Sequence, residues 1–218
     1  MKHTQAILII SVIINLLLAL VILIAVIRYH NEIYKKITAH KSYNIVMFGN
    51  SLTAHCNWSR ELKRSDVRNS GFPGYTTFNY LQILEKHVIN HKPKLCFIEG
   101  GINDIGLGIS QEYIQKNYRI IIEKLLKNNI EPVLQSTLYV NYEWEITNQT
   151  TKIKVDSLND FLQNLAIEKK LTYIDLNRLL SENGKLKGEF QVDGLHLNNN
   201  AYKIWAEEVE KILTKKKF

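Results

Sequence analysis

Three residues of the sequence could together turn a hydroxyl group into a nucleophile. Ser51 stands in a Gly-Asn-Ser-Leu segment, and Asp193 and His196 lie three residues apart in an Asp-Gly-Leu-His segment. A serine hydroxyl is a weak nucleophile until an imidazole takes its proton, and the imidazole works best when a carboxylate fixes its tautomer. At a spacing of three on a turn, Asp193 can reach the ring nitrogen of His196 that faces away from Ser51. We therefore predict Ser51 as nucleophile, His196 as base and Asp193 as its orienting acid.

Hydrogen-bond donors for a developing negative charge are predicted at Ser51, Gly74 and Asn103. A tetrahedral intermediate needs donors aimed at its charged oxygen. Ser51 and Gly74 can offer backbone N–H groups, and Asn103 can offer its side-chain amide. Because Gly74 has no side chain, a ligand can approach its backbone closely. This chemistry requires no metal ion and no organic cofactor.

Alternating sequence patterns predict the elements that would bring these residues together. Short β-branched or aromatic runs alternate with amphipathic segments of helical period, which indicates an α/β domain with parallel strands. Polar residues that directly follow the strands are expected to converge, because the carboxyl ends of parallel strands meet at one edge of the sheet. The predicted strands are residues 44–48, 66–69, 94–99, 132–136 and 172–175.

Apolar residues at spacings of three and four predict two helix faces that pack on this sheet. The first face comprises Ile114, Tyr118, Ile121, Ile122 and Leu125; the second, on a helix from about Asn199, comprises Tyr202, Trp205, Val209, Ile212 and Leu213.

Three aromatic residues follow the fourth predicted strand and are candidates for substrate binding. The faces of Tyr139, Tyr142 and Trp144 could stack on a sugar or cover an acyl chain. Packing within a long loop is the competing interpretation of the same residues.

Four sequence blocks together resemble the SGNH hydrolases, also called GDSL-like lipases or acylhydrolases. The blocks are Ser51 in Gly-Asn-Ser-Leu, Gly74, Asn103 in Gly-Ile-Asn-Asp, and His196 in Asp-Gly-Leu-His, in the order expected of the family. Asn50 departs from the family's naming motif, which has Asp there, but that residue is not one of the catalytic four. The resemblance covers roughly residues 43–214. It implies a flavodoxin-like three-layer α/β/α sandwich with a five-stranded parallel sheet in the order 2-1-3-4-5.

The resemblance also implies a serine ester hydrolase that works through an acyl-enzyme. The Asp-Gly-Leu-His-Leu-Asn segment and the helix after it are similar to acetylhydrolase-like members, which favours short acyl groups such as O-acetyl on a glycan. The alcohol part, whether small molecule, glycan or lipid, stays open. An acyltransferase, a lysophospholipase or a thioesterase would use the same site. A catalytically silent, membrane-held carbohydrate-binding module is the alternative of a different class.

An uncharged apolar run over residues 6–27 predicts a transmembrane helix. At a rise of about 1.5 Å per residue, a helix of roughly 22 residues spans the hydrocarbon core. A cleaved signal peptide would have a shorter apolar region and small residues at the cut, whereas Ala-Val-Ile here runs directly into Arg28. We therefore predict a retained anchor over residues 1–28, a juxtamembrane linker over 29–42 and the hydrolase domain over 43–218.

The side of the membrane on which this domain lies stays open. Lys2 precedes the run, whereas Arg28, Lys35, Lys36 and Lys41 follow it, which by the positive-inside rule favours a cytoplasmic domain. An uncleaved N-terminal anchor is also a common way to hold an exported enzyme at the outer face, and we lean toward an extracytoplasmic domain.

Composition argues against several other classes of protein. The net charge of +7 arises mainly beside the apolar run, on helices and in the Lys215–Lys217 tail, without a nucleic-acid-binding motif. We therefore predict no nucleic-acid partner and some attraction to anionic lipid headgroups. Cys56 and Cys96 are too few for a disulfide framework or a zinc cluster. Buried free thiols are expected, and whether the two pair stays open.

Overall fold

Five parallel strands form the central sheet, in the order β2-β1-β3-β4-β5. They belong to a computed structural model that describes residues 2–39, 43–142 and 145–218. The predicted fold class and strand order are confirmed, and the strand ends differ from the prediction by at most two residues. The strands are β1 Ile45–Gly49, β2 Val67–Gly71, β3 Leu95–Ile98, β4 Glu131–Gln135 and β5 Thr172–Ile174.

Helices cover both faces of this sheet and make the outer layers of the sandwich. On one face pack α4 Thr77–His87, α6 Gln111–Lys127 and α7 Glu145–Lys169, each against the next. On the other face, α3 Trp58–Glu61 contacts α9 Asn199–Lys215. Strands β1 and β3 are therefore buried along their whole length, and they contain apolar residues at nearly every position.

Short elements connect these layers. They are α2 Ser51–Ala54, α5 Ile102–Gly106, α8 Asn177–Leu180, the antiparallel pair β6 Ser181–Glu182 and β7 Lys185–Leu186, and two 3₁₀ turns at Ile89–His91 and Gly188–Phe190. The sequence pattern did not predict the β6–β7 pair.

The two predicted helix faces pack as expected. All five residues of the α6 face are buried. On α9, Tyr202, Trp205, Val209 and Leu213 are buried, and Ile212 packs half-buried against the core. Cys56 and Cys96 are buried free thiols. Burial raises the pKa of Cys56 to about 12, so neither the position nor the acidity of this thiol suits a nucleophile.

The N-terminal part of the chain carries one long helix, α1 Lys2–Ala39. The chain divides into two compact units, Met1–Ser42 and Tyr43–Phe218. Within α1, Val12–His30 is long and apolar enough to cross a membrane, with a mean hydropathy of 2.7. By length and composition, such a helix fits either a membrane anchor or a signal sequence.

Candidate active site

Ser51 is the first residue of α2 and follows β1 directly. The side-chain oxygen of Asn50 caps this helix by accepting a hydrogen bond from the Leu52 N–H at 2.8 Å. Because the first N–H groups of a helix have no partner inside it, the Ser51 N–H is left to point out of the helix start. Gly49 makes the tight exit from the strand possible: a Cβ there would lie 2.1 Å from Thr53 Oγ1.

Two aromatic side chains hold the other end of α2. The Tyr202 hydroxyl donates to the Leu52 carbonyl at 2.8 Å, and the Trp58 indole N–H donates to the Thr53 carbonyl at 2.9 Å. Both donors are buried and come from α9 and α3. These bonds satisfy carbonyl groups that a single-turn helix leaves without partners, and they fix the direction in which Ser51 points.

Ser51, His196 and Asp193 form a continuous chain of hydrogen-bond contacts. His196 Nε2 lies 3.1 Å from Ser51 Oγ, and His196 Nδ1 lies 2.7 Å from Asp193 Oδ2. The other carboxylate oxygen, Asp193 Oδ1, accepts the backbone N–H groups of His196 at 2.8 Å and of Leu195 at 3.1 Å. The His196 backbone N–H, followed by the imidazole, lowers the pKa of Asp193 to about 2. The carboxylate is therefore ionised at neutral pH and can hold the proton on Nδ1.

The turn that carries Asp193 and His196 depends on Gly194. This residue has a φ of +87°, and a Cβ on it would lie 2.5 Å from the Asn141 carbonyl oxygen. Its N–H donates to Gln191 Oε1 at 2.7 Å, and its carbonyl accepts the Asn141 N–H at 2.6 Å. An antiparallel bridge between Gln191 and Leu197 closes the segment. Only glycine fits this position without strain.

Two of the three predicted oxyanion donors, Gly74 and Asn103, lie in the connections that follow β2 and β3, two loops that touch each other. Gly74 has a φ of +77°, and a Cβ built on it would meet no atom within 4 Å, so its backbone is open to a ligand on that side. Asn103 lies in α5, half-buried, and its Nδ2 donates to the Tyr75 carbonyl at 2.9 Å. One amide hydrogen of Asn103 is thus used to fix the side chain, which leaves the second for a ligand.

A buried clamp fastens these two loops together. Thr77 donates to the Asp104 carboxyl group twice, with its hydroxyl at 2.6 Å and its backbone N–H at 3.0 Å. The Asn117 amide in turn donates to the Thr77 hydroxyl at 3.0 Å. Burial raises the pKa of Asp104, and the hydrogen bonds from Thr77 oppose that rise. Because Thr77 and Asp104 lie close to Gly74 and Asn103 in sequence, the clamp sets the spacing between the two predicted donors.

The three predicted aromatic residues do not act as one group. The Tyr139 hydroxyl donates to Asp156 Oδ1 at 2.5 Å, and its ring lines a cavity of about 630 Å³ together with Tyr173 and Asp175. Tyr142 instead lies beside the catalytic turn, with its Cδ1 3.4 Å from the position of a Cβ on Gly194. Trp144 lies outside the described residues. Their binding role stays a prediction.

Sequence reasoning missed Thr77, Asn117 and the buried Glu99. The positions of Glu99 and Asp104 could have indicated buried acidic residues. Glu99 follows an apolar strand and Asp104 follows Asn103, and acidic side chains are rarely buried unless they are paired. The pairing itself could not be predicted. In the described part of the chain, no group of three or more His, Cys, Asp or Glu residues is arranged to hold a metal ion.

A parallel α/β sheet with a serine, a histidine and an aspartate in hydrogen-bond contact at its carboxyl edge is typical of hydrolases that use a serine nucleophile. The chain belongs to the GDSL-like lipase/acylhydrolase family, whose family model matches residues 47–204. The resemblance seen in the four sequence blocks is therefore confirmed.

The chain is also similar to several proteins of known name or structure. An N-acylneuraminate cytidylyltransferase of Streptococcus agalactiae is 22% identical over 84% of this chain and 43% of its own length, so the chain spans less than half of that protein. The isoamyl acetate-hydrolysing esterase of Saccharomyces cerevisiae is 27% identical over 69% of this chain and 70% of its own. The crystal structure of a lipase/acylhydrolase from Enterococcus faecalis, 25% identical, superposes with a TM-score of 0.70 over 80% of this chain and 96% of its own.

Proposed function

We propose that this protein hydrolyses carboxylic esters, with Ser51 as nucleophile, His196 as general base and acid, and Asp193 as the residue that orients His196. The observation that carries the proposal is the unbroken contact from Ser51 Oγ to His196 Nε2 at 3.1 Å and from His196 Nδ1 to Asp193 Oδ2 at 2.7 Å. Membership of the acylhydrolase family supports the same reaction class.

The first half of the reaction transfers the acyl group to the protein. Ser51 Oγ attacks the carbonyl carbon of the ester while His196 Nε2 takes the hydroxyl proton. The tetrahedral intermediate then collapses, the bond to the alcohol oxygen breaks, and His196 gives the proton to that oxygen. Asp193 stays ionised and stabilises the imidazolium ion that forms in between.

The second half releases the acid. A water molecule gives a proton to His196 Nε2 and attacks the acyl carbon, and Ser51 Oγ leaves with the proton that His196 returns. In both halves the negative oxygen of the intermediate accepts hydrogen bonds from the N–H groups of Ser51 and Gly74 and from Asn103 Nδ2. Removal of one such donor typically costs about 3–4 kcal/mol of transition-state stabilisation.

A short acyl group, in particular an O-acetyl group on a sugar, is the substrate class that we propose. The yeast relative is named for the hydrolysis of isoamyl acetate, an acetate ester. The streptococcal relatives are named for N-acylneuraminate, an acylated sugar acid, which supports a sugar as the alcohol part. Cytidylyl transfer is not carried over, because this chain spans less than half of those proteins.

Labelling with a fluorophosphonate probe tests the role of Ser51. We expect the wild-type chain to form a covalent adduct and Ser51→Ala to form none. Ser157→Ala is the matched control, because Ser157 is an exposed serine on α7, far along the chain from the site. It should react like the wild type. An equal adduct on Ser51→Ala would show that the nucleophile is another residue.

A series of nitrophenyl esters tests the acyl group. We expect kcat/KM for the acetate to exceed that for the octanoate by at least about tenfold, since one methylene group in a pocket is worth roughly 1–3 kcal/mol. A rise of kcat/KM toward the longer chains would refute the short-acyl proposal and leave the Ser51 chemistry standing.

We also propose that α1 is kept as a single-pass membrane anchor over residues 1–28, followed by a linker over 29–42 and the hydrolase domain over 43–218, on the extracytoplasmic side. The apolar stretch Val12–His30 supports an anchor. Carbonate-washed membranes should retain the protein, and its intact mass should include the apolar stretch. Protease added outside intact cells should digest the domain; a protected domain would place it on the cytoplasmic side.

A further inference from the structure

Three buried polar side chains near Ser51, those of Asn50, Thr53 and Glu99, have no part in the mechanism described so far. Four atoms of these side chains are buried without a hydrogen-bond partner among the described residues: Asn50 Nδ2, Thr53 Oγ1 and both carboxyl oxygens of Glu99. Buried polar atoms are paired in the great majority of cases, because an unpaired one loses its interaction with water and gains nothing. These four atoms therefore call for an arrangement in which they satisfy one another.

The three side chains converge on the turn that carries Ser51. Asn50 caps α2 and Thr53 is its third residue. Glu99 follows β3, and its N–H donates to the Phe48 carbonyl at 3.1 Å, which places it beside the end of β1. A Cβ on Gly49 would lie 2.1 Å from Thr53 Oγ1 and 2.8 Å from the Glu99 backbone carbonyl oxygen, so the Thr53 side chain and the Glu99 backbone both approach this glycine. The Asn50 amide acts on the Glu99 carboxyl group, which places that side chain beside the same turn.

Glu99 is surrounded by groups that cannot balance a negative charge. It is completely buried, and burial raises its pKa to about 8, an effect that the Asn50 amide opposes only in part. The titratable groups that face it are the hydroxyls of Tyr80 on α4, Tyr118 on α6 and Tyr202 on α9, and its charge would raise the pKa of each. No lysine or arginine of the described residues is among the groups that set its pKa.

The hydrogen-bonding capacity of Asn50 fixes the direction of one contact. Its Oδ1 already accepts the Leu52 N–H, so its Nδ2 is the atom that remains for Glu99. An amide nitrogen can only donate, and the partner oxygen of Glu99 must therefore accept. The second carboxyl oxygen has no partner among the described residues, and the remaining unpaired atom of this set is Thr53 Oγ1, a hydroxyl oxygen that can accept as well as donate.

We propose that Glu99 is a positioning residue whose neutral carboxyl group accepts a hydrogen bond from Asn50 Nδ2 and donates its own O–H to Thr53 Oγ1. This bridge pairs all four atoms and ties both ends of the α2 turn to the end of β3, two residues before the Gly101 N-cap of the helix that carries Asn103. The role depends on the proposed function, because it is exerted through Ser51.

This arrangement makes the reaction sensitive to alkaline pH. Once Glu99 loses its proton, it can no longer donate to Thr53, and an unbalanced charge lies buried beside Asn50, the residue that precedes Ser51. That charge opposes the negative oxygen that the same N–H must stabilise. Loss of one proton with a pKa of about 8 would lower kcat by on the order of tenfold for each pH unit above that value.

The test compares the full-length chain in detergent with Glu99→Gln, using nitrophenyl acetate between pH 6 and pH 10 and Ser51→Ala as the blank. Gln offers the same acceptor and donor as the neutral acid and cannot titrate. We expect Glu99→Gln to keep kcat at pH 7 within about threefold and to lose the alkaline decline. Glu131→Gln is the control, because Glu131 is the first residue of β4 and lies at the amino ends of the strands, away from Ser51. It should keep the pH profile of the wild type. An unchanged alkaline decline in Glu99→Gln would overturn the proposal.

Denaturation at different pH values tests Glu99 independently of catalysis. An unfolded glutamate loses its proton near pH 4.5, the folded one near pH 8, so the folded state loses relative stability as pH rises through that window. The urea midpoint of the wild type minus that of Glu99→Gln should therefore decrease from pH 5 to pH 8 and stay constant above pH 8. A constant difference would refute a buried neutral acid. If the wild type hydrolysed the ester no faster than Ser51→Ala, that result would instead refute the proposed function.

Discussion

The clamp between Thr77 and Asp104 allows a quantitative prediction about the two loops that carry Gly74 and Asn103. Thr77→Val keeps the shape of the side chain and removes its hydroxyl. The change deletes the 2.6 Å hydrogen bond to Asp104 and takes the acceptor away from the Asn117 amide. The backbone N–H of Thr77 still donates to the carboxyl group, so the loop keeps one of its attachments.

The size of the effect follows from the burial of all three groups. Thr77 and Asp104 are fully buried and Asn117 nearly so. A hydrogen bond to a carboxyl group is worth about 1.5–3 kcal/mol, and an amide left without a partner costs about 1–3 kcal/mol. We expect Thr77→Val to lower the free energy of unfolding by at least roughly 2.5 kcal/mol, the sum of the two lower values. Thr77→Ser, which loses a methyl group and keeps both hydrogen bonds, should cost only about 1 kcal/mol.

Urea denaturation and ester hydrolysis together test this reasoning. Urea midpoints of the two variants give the difference in stability, and kcat reports the position of the Gly74 loop relative to Asn103. We expect kcat of Thr77→Val to fall by on the order of tenfold or more, with a smaller change for Thr77→Ser. If Thr77→Val were as stable and as active as Thr77→Ser, the clamp would not hold the loops.

Two further predictions concern the catalytic turn. Asp193→Asn should lower kcat by about 10³- to 10⁴-fold, because the proton on His196 Nδ1 is then no longer held in place. Stability should change little, because the Asp193 side chain is half-exposed. Steady-state kinetics and urea midpoints measure the two effects. Gly194→Ala should lower the free energy of unfolding by roughly 1–2 kcal/mol and displace His196, because of its positive φ and the nearby Asn141 carbonyl. Gly188→Ala, where a Cβ meets nothing within 4 Å, is its control and should behave like the wild type.

The sheet could be predicted from the sequence because its central strands carry continuous apolar runs. A strand such as Leu95–Ile98, buried on both faces, has no polar residue that would blur its pattern. The β6–β7 pair has two residues in each strand, and such short elements show no periodicity. Single-turn helices such as α8 escape prediction for the same reason.

The candidate site was predicted to the extent that its chemistry is local. Ser51, Asp193 and His196 stand in short blocks whose residue types alone indicate their chemistry. Thr77 and Asp104 are 27 positions apart, and only the tertiary fold brings them together. The aromatic segment shows the same limit, because a hydrogen bond to Asp156 directs Tyr139 into a cavity that no spacing rule could indicate.

The turn from Gln191 to Leu197 has a consequence for how the proposed contact between His196 and Ser51 is kept or lost. His196 and Asp193, the proposed base and its orienting acid, share one closed segment whose internal hydrogen bonds do not involve Ser51, so they would move together as a unit. A small swing of this unit would leave the imidazole correctly protonated and still stop turnover. The contact of this turn with the proposed nucleophile is the single distance from His196 Nε2 to Ser51 Oγ, 3.1 Å.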